Sequence, residues 1–192
     1  MKLILASGSP RRKELLQGMG LSFDVLVSDC DESFESGLPA SEVAQLLACR
    51  KAEAVAALCP GAFVLAADTV VASGGLILNK PACIEEASEM LQELSGKTHL
   101  VHTGYCLISP AGSISGFDST AVTFARLLPS EIEHYTSGGK NLDKAGAYGI
   151  QDWIGLIGVE RIEGSYFTVM GLPTHKVWQG LKQLGFHLSA VQ

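Results

Sequence analysis

Ser7, Ser9, Arg11 and Arg12 have the types and the spacing to hold an anion. In Ala6-Ser7-Gly8-Ser9-Pro10-Arg11-Arg12, a loop with two hydroxyls and a glycine runs into a predicted helix. Free backbone N–H groups and the positive end of a helix dipole meet at such a junction, and two guanidiniums can grip phosphate oxygens bidentately. Cations there oppose the macrodipole unless an anion joins them. The electrostatics of the helix end favour a phosphate cradle over the alternative, an ordinary capped helix with a solvated basic turn.

Asp68 and Thr69 interrupt the apolar run over residues 63–72. An unpaired carboxylate buried in such a strand is costly, so Asp68 should lie at a strand end in a cleft or contact a cation. The alternative is a structural aspartate bonded to backbone amides or to one arginine. Lys51 lies on a long predicted helix, within the arc swept by Val43, Leu47, Ala54, Val55 and Leu58. It should point inward or toward a cleft, unless its stem covers apolar surface and the ammonium snorkels to water.

Asp29, Asp31 and Glu32 follow a second predicted strand. A carboxylate there could supply an oxygen ligand to Mg²⁺ or Mn²⁺, although acidic loops are commonly only solvated. Lys80, before Pro81, could contact a phosphate or be an ordinary loop lysine.

Other motifs fail on physical grounds. Ser95-Gly96-Lys97-Thr98 imitates the end of a P-loop, but Leu91 replaces the first glycine and the segment runs from helix to strand. His99 and His102, three apart in a predicted strand, face opposite ways and form no local metal pair; His134, His175 and His187 lack ligand-like spacing. Ser7 and Ser9 have no nearby histidine base for covalent catalysis.

The elements that must position these residues alternate early between strand and helix. Strands are predicted at residues 3–6, 22–28, 63–72 and 76–78, and helices at 10–19, 41–59 and 85–94, with Ser9 and Ser41 as caps. A long antiparallel pair is expected at 98–108 and 113–125, then a helix at 129–136. Residues 146–171 read as short strands and turns, and 173–184 as a final amphipathic helix. The expected class is α/β, a mixed, strongly twisted sheet flanked by helices, in a single domain over residues 1–192.

Composition narrows the partner. Apolar residues at 47% and charged residues at 18% support a globular chain. A net charge of −6 disfavours a general nucleic-acid binder, so the partner should be small, and Arg11, Arg12 and Lys13 could form a local anion site. Five scattered cysteines without a C-x-x-C pair suggest neither disulfides nor a thiolate zinc site, and fit a reducing compartment. The N-terminal apolar strand, residues 1–6, is far too short for a signal h-region and no later apolar run is long enough to span a bilayer, so a cytoplasmic protein without membrane contact is expected.

The wording and order of the motifs carry more than each does alone. They are Ala6-Ser7-Gly8-Ser9-Pro10-Arg11-Arg12, Asp31-Glu32, Lys51-Ala52-Glu53, Ala67-Asp68-Thr69, Lys80-Pro81 and Gly96-Lys97-Thr98-His99. Farther on come Asp143-Lys144-Ala145-Gly146-Ala147-Tyr148-Gly149-Ile150-Gln151, Gly164-Ser165-Tyr166 and Gly171-Leu172-Pro173. In these the chain resembles the Maf family of nucleotide pyrophosphatases from end to end.

The resemblance implies the inosine triphosphate pyrophosphatase-like (Maf/Ham1) fold. It also implies hydrolysis of a nucleoside triphosphate between its α- and β-phosphates, with a divalent metal, Mg²⁺ or Mn²⁺. Asp68 matches the family's proton acceptor. Ser9, Arg11, Arg12, Glu32, Lys51 and Lys80 match its phosphate and metal positions. Glu32 and Asp68 are expected to hold or orient the metal, and the sequence leaves Asp68 open as general base or as metal ligand, since a carboxylate can do either. Arg12, Thr69 and Gln151 match positions linked to base preference, and the Ala-Tyr-Gly-Ile-Gln segment looks like the branch acting on dTTP and UTP. A glutamine amide, both donor and acceptor, suits the imide edge of uracil or thymine. The alternatives are the branch acting on 7-methyl-GTP and a low-turnover nucleotide-binding regulator of cell division. A homodimer is implied by resemblance alone.

Overall fold

Leu-Ile-Leu at the start of the chain forms β1 (Leu3–Leu5), buried on both faces. The computed structural model describes residues 2–27, 29–139 and 141–187. After β1 come α1 (Pro10–Gly18), β2 (Asp24–Val25), α2 (Ala40–Leu58), β3 (Phe63–Ser73), β4 (Leu76–Leu78) and α3 (Ile84–Leu94). The long strands β5 (Thr98–Ser109) and β6 (Gly112–Phe124) follow, then α4 (Pro129–Thr136) and a 3-10 turn at Ala145–Ala147. The chain ends with α5 (Trp153–Gly158), β7 (Val159–Glu163), α6 (Tyr166–Met170) and α7 (Thr174–Gln183).

These elements make a mixed α/β fold. The 7-stranded sheet has the order β2-β1-β3-β5-β6-β7, with β4 paired to β3. β1 is parallel to both β2 and β3, whereas β3 with β4 and β6 with β7 are antiparallel. By its contacts the chain divides into two compact units. The first comprises Met1–Asp68, Thr103–Asp118 and Gly171–Gln192, and the second Thr69–His102 and Ser119–Met170.

In the first unit, Ile4, Val64, Ala66, Ala48, Ala52, Val55 and Cys106 form a continuous buried cluster. Each large aliphatic side chain buried in this way contributes roughly 1.5–3 kcal/mol. Small residues let α2 come unusually close. A Cβ on Gly104 of β5 would lie 2.2 Å from the Ala44 carbonyl oxygen, so only glycine permits this approach. Val43, Ala44, Leu47, Ala48, Ala52 and Val55 are the buried residues of α2, while Leu58, expected on the same stripe, is 66% exposed.

In the second unit, Ala87, Met90, Leu91 and Leu94 give α3 a buried face at helical spacing. His99 is buried edge-on to Phe124 and Tyr148, and its Nε2 lies 2.7 Å from the Tyr148 hydroxyl. No helix among the described residues is long and apolar enough to cross a membrane.

Three local expectations need correction. The strand predicted at 22–28 is only two exposed residues long, and its expected end, Ser28, lies outside the described residues. Ser41 does not cap α2. Pro39 holds that position with φ −56°, and its carbonyl accepts from the N–H groups of Glu42 and Val43 at 2.9 and 3.0 Å. The stretch read as short strands and turns contains the helices α5 and α6. The glycines that hid α5 are there for packing: a Cβ on Gly155 would lie 2.1 Å from the Ile150 carbonyl oxygen, and one on Gly158 2.9 Å from Leu127.

Candidate active site

Parallel pairing delivers three functional segments to one end of the sheet in the first unit. Leu5 of β1 lies opposite both Val25 of β2 and Leu65 of β3. Beyond that level β1 runs into the Ser7–Ser9 loop, β2 into the acidic loop with Glu32, and β3 reaches Asp68. The carboxyl ends of parallel strands are where α/β folds place ligands. α2, on the crossover between β2 and β3, adds Lys51.

Ser7 organises the first loop. Its Oγ accepts from Nη1 of Arg12 at 2.9 Å and from the Ser9 N–H at 3.3 Å. Arg12 also donates from Nε to the Gly171 carbonyl at 2.8 Å, which fixes the guanidinium at both edges. Ser9 stands at the N-cap of α1 in an extended conformation and makes no side-chain capping bond, and Pro10 follows at the first helical position. With Arg11 and Arg12 next, and no acidic residue in the first turn, the positive end of the helix dipole carries added positive charge. Burial lowers the Arg12 pKa, and Arg11 adds to this, while the charges of Asp68 and Glu32 oppose it.

β3 is buried on both faces until Asp68 and Thr69, where partial exposure begins. The Asp68 carboxylate meets a cation, as its cost of burial demands. Lys51 Nζ lies 2.5 Å from Asp68 Oδ1 and 3.0 Å from Glu32 Oε1. The lysine does not snorkel into water, since its side chain is only 15% exposed. Burial alone would lower the Lys51 pKa, but the charge of Asp68, its hydrogen bond and Glu32 outweigh that and hold it above the ordinary lysine value.

Asp68 and Glu32 thus converge on one cationic atom from different segments of the chain. Among the described residues, no group of three or more His, Cys, Asp or Glu is placed to hold a metal. Two carboxylates suit Mg²⁺ or Mn²⁺, because such hard cations take one or two protein carboxylates and complete their shell with water and phosphate oxygens. The same pair does not suit a structural zinc site, which takes four protein ligands.

Thr69, Lys80 and Gln151 belong to the second unit. Thr69 follows Asp68 on β3, half-buried, and Lys80 is exposed on the stretch after β4. Gln151 lies in the turn before α5, with its Oε1 buried and without a hydrogen-bond partner. The neighbouring Asn79 carbonyl accepts from the Gly146 N–H at 3.2 Å, which ties the segment before Lys80 to the one that leads to Gln151.

A family model described as Maf-like protein matches residues 2–184. The chain belongs to the Maf family. One Maf relative, the dTTP/UTP pyrophosphatase of Phocaeicola vulgatus, is 46% identical over 185 residues, covering 95% of this chain and 96% of that protein. The protein of the same name from Deinococcus radiodurans is 48% identical over 187 residues, covering 96% and 93%. That of Bacillus cereus is 44% identical over 188 residues, covering 98% of each. Among solved structures, a Ham1 protein from Coxiella burnetii superposes with a TM-score of 0.43 at 18% identity, over 66% of this chain and 74% of that one.

One residue beside this candidate site in the Maf chain was not visible in the sequence. Arg50, next to Lys51, donates from Nη1 to the carbonyl oxygens of Asp31, at 3.1 Å, and Ser33. Asp31 closes the same loop by accepting from the Ser33 N–H at 2.9 Å and its hydroxyl at 2.7 Å. Glu32, between these anchors, is thereby aimed at Lys51. Arginine contacts to main-chain oxygens leave no charge pattern in a sequence, so nothing there marked Arg50.

Proposed function

We propose that this Maf protein is a nucleoside triphosphate pyrophosphatase that converts dTTP and UTP to the monophosphate and pyrophosphate, with Mg²⁺ or Mn²⁺ as cofactor. The observation that carries the reading is the Lys51 ammonium held between Asp68 and Glu32 in the field that also acts on Arg12. The names of the relatives from Phocaeicola, Deinococcus and Bacillus support the same activity and the same bases.

Arg11, Arg12 and Lys51 are the cations that meet phosphate, and Ser7 keeps Arg12 in position to do so. The Ser7–Ser9 loop supplies further donors to phosphate oxygens. Asp68 takes a proton from the attacking water as its oxygen bonds to the α-phosphorus. The bond from that phosphorus to the α,β-bridging oxygen breaks, and pyrophosphate leaves with the electron pair. Lys51, beside Asp68, offsets negative charge that develops on the phosphates. Glu32 and Asp68 are the residues that would hold the divalent cation, which would acidify water and neutralise phosphate charge. Lys80 is assigned to the phosphates, and Thr69 and Gln151 to the base, by family resemblance.

The test is pyrophosphate release over dTTP, UTP, CTP, GTP, 7-methyl-GTP and ITP with Mg²⁺ or Mn²⁺. Release is expected to be fastest with dTTP and UTP and to stop when the metal is chelated. Preference for 7-methyl-GTP would move the protein to that branch of the family. Tight nucleotide binding without turnover would instead make it a nucleotide-dependent regulator, for which a role in cell division is the alternative reading.

A further inference from the structure

We propose that Tyr135 positions Gln151, through Asp152 and the turn over residues 149–152, and so helps set which base the enzyme accepts. The inference rests on the proposed role of Gln151 as the residue that reads the base.

Gln151 occupies the second central position of a tight turn. The Asp152 N–H donates to the Gly149 carbonyl at 3.0 Å, closing the turn around Ile150 and Gln151. Ile150 is buried and anchors one side. The Asp152 carbonyl accepts from the N–H groups of Gly155 and Leu156 at 2.9 and 3.1 Å, so Asp152 caps α5 immediately after Gln151. A buried acceptor such as Gln151 Oε1, left without a partner, normally signals a missing donor. The N–H of a pyrimidine imide is a donor of that kind.

Tyr135 of α4 touches the turn on both sides of Gln151. Its hydroxyl donates to Asp152 Oδ2 at 2.6 Å and accepts from the Gly149 N–H at 3.3 Å. Lys144 Nζ lies 3.6 Å from the same Asp152 oxygen and 2.6 Å from Asp143 Oδ1, so Asp152 is held by a phenol and a buried ammonium together. Gly149 makes room for this arrangement: a Cβ there would lie 2.7 Å from Asp152 Oδ2. Burial, then the Asp152 hydrogen bond and charge, push the Tyr135 pKa upward, so the phenol stays a donor at neutral pH.

A residue that only supported the fold would not link its effect to the base. Tyr135→Phe keeps the ring and removes only the hydroxyl. In the full-length protein with Mg²⁺, we expect kcat for dTTP to stay within about twofold, KM to rise roughly five- to tenfold, and the dTTP-over-GTP ratio of kcat/KM to fall by a similar factor. The double variant Tyr135→Phe/Gln151→Ala should lose no more of that ratio than Gln151→Ala alone, because one residue acts through the other. If Gln151→Ala relaxes base preference while Tyr135→Phe retains it, or if the two losses multiply, the positioning role is overturned and the reading of Gln151 stands. If Gln151→Ala leaves the preference intact, the reading of Gln151 fails and takes this proposal with it. Should Tyr135→Phe not fold, Gly149→Ala probes the same contact by pressing a methyl group on Asp152. Unchanged base preference in that variant overturns the proposal as well.

Discussion

Lys51 and Asp68, 17 residues apart in the chain, form a part-buried ion pair with Nζ 2.5 Å from Oδ1. Neither charge would be tolerable at that depth without the other, since removing one member of such a pair strands its partner. The site is therefore assembled before any ligand arrives. Its cation is held in place by the two carboxylates alone.

Lys51→Met should destabilise the fold by roughly 2–3 kcal/mol, somewhat below the fully buried range because both side chains keep some exposure. Adding Asp68→Asn should restore part of that loss, because the stranded carboxylate is then gone. Urea unfolding of the single and double variants checks this, and simple additivity would argue against the pairing. The sign with pH follows from the raised pKa of Lys51. Its contribution is complete below the unfolded lysine value and disappears only as pH rises through the higher folded value, so it should hold across the whole neutral range.

Asp68→Asn should lower kcat by roughly two to three orders of magnitude, the scale on which one preorganised group at a reacting centre is lost. Circular dichroism must show a folded variant, and dTTP should still bind. Near-normal turnover in that variant would remove Asp68 from the chemistry.

Arg12→Lys should reduce kcat/KM roughly ten- to hundredfold despite the retained charge, because an ammonium cannot bond Ser7, Gly171 and a phosphate in one plane. Ser7→Ala should give a smaller loss in the same direction. Steady-state kinetics on dTTP reads both, and equal activity of Arg12→Lys and the unaltered protein would contradict the fork geometry.

His99 should make stability depend on acid. Burial holds its pKa down to about 4 in the folded protein, against an ordinary value of 6.5. The unfolded chain therefore takes up the proton first, and stability is complete above pH 6.5 and declines as pH falls toward 4. Over that window the loss from this residue is about 3 kcal/mol at most. Chemical unfolding at several pH values should show a shallower decline for His99→Gln.

What the sequence disclosed follows from how local each signal is. Asp68 was legible because a carboxylate in an apolar strand is an energetic problem that composition alone exposes. Lys51 was legible through helical periodicity, although Leu58 was wrongly placed on the same stripe. Leu58 is the last residue of α2, where periodicity alone does not tell whether the helix end is covered. The fold class and the family followed from strand–helix alternation and from motif wording. Arg50 and Tyr135 were not legible, because each acts through main-chain groups or a carboxylate far away in sequence. The glycines of α5 read as breaks, although they are points of close contact.

Gly104 has only a hydrogen where other residues carry a side chain, and that atom acts as the spacer between β5 and α2. Ala44, which it faces, and Lys51 are two turns apart on the same rigid rod. A single added carbon–carbon bond, about 1.5 Å, exceeds the width of the window in which a hydrogen bond stays strong. The reach of the ammonium toward its carboxylates is thus calibrated two turns away on the same face of the helix, by a residue that has no functional group at all.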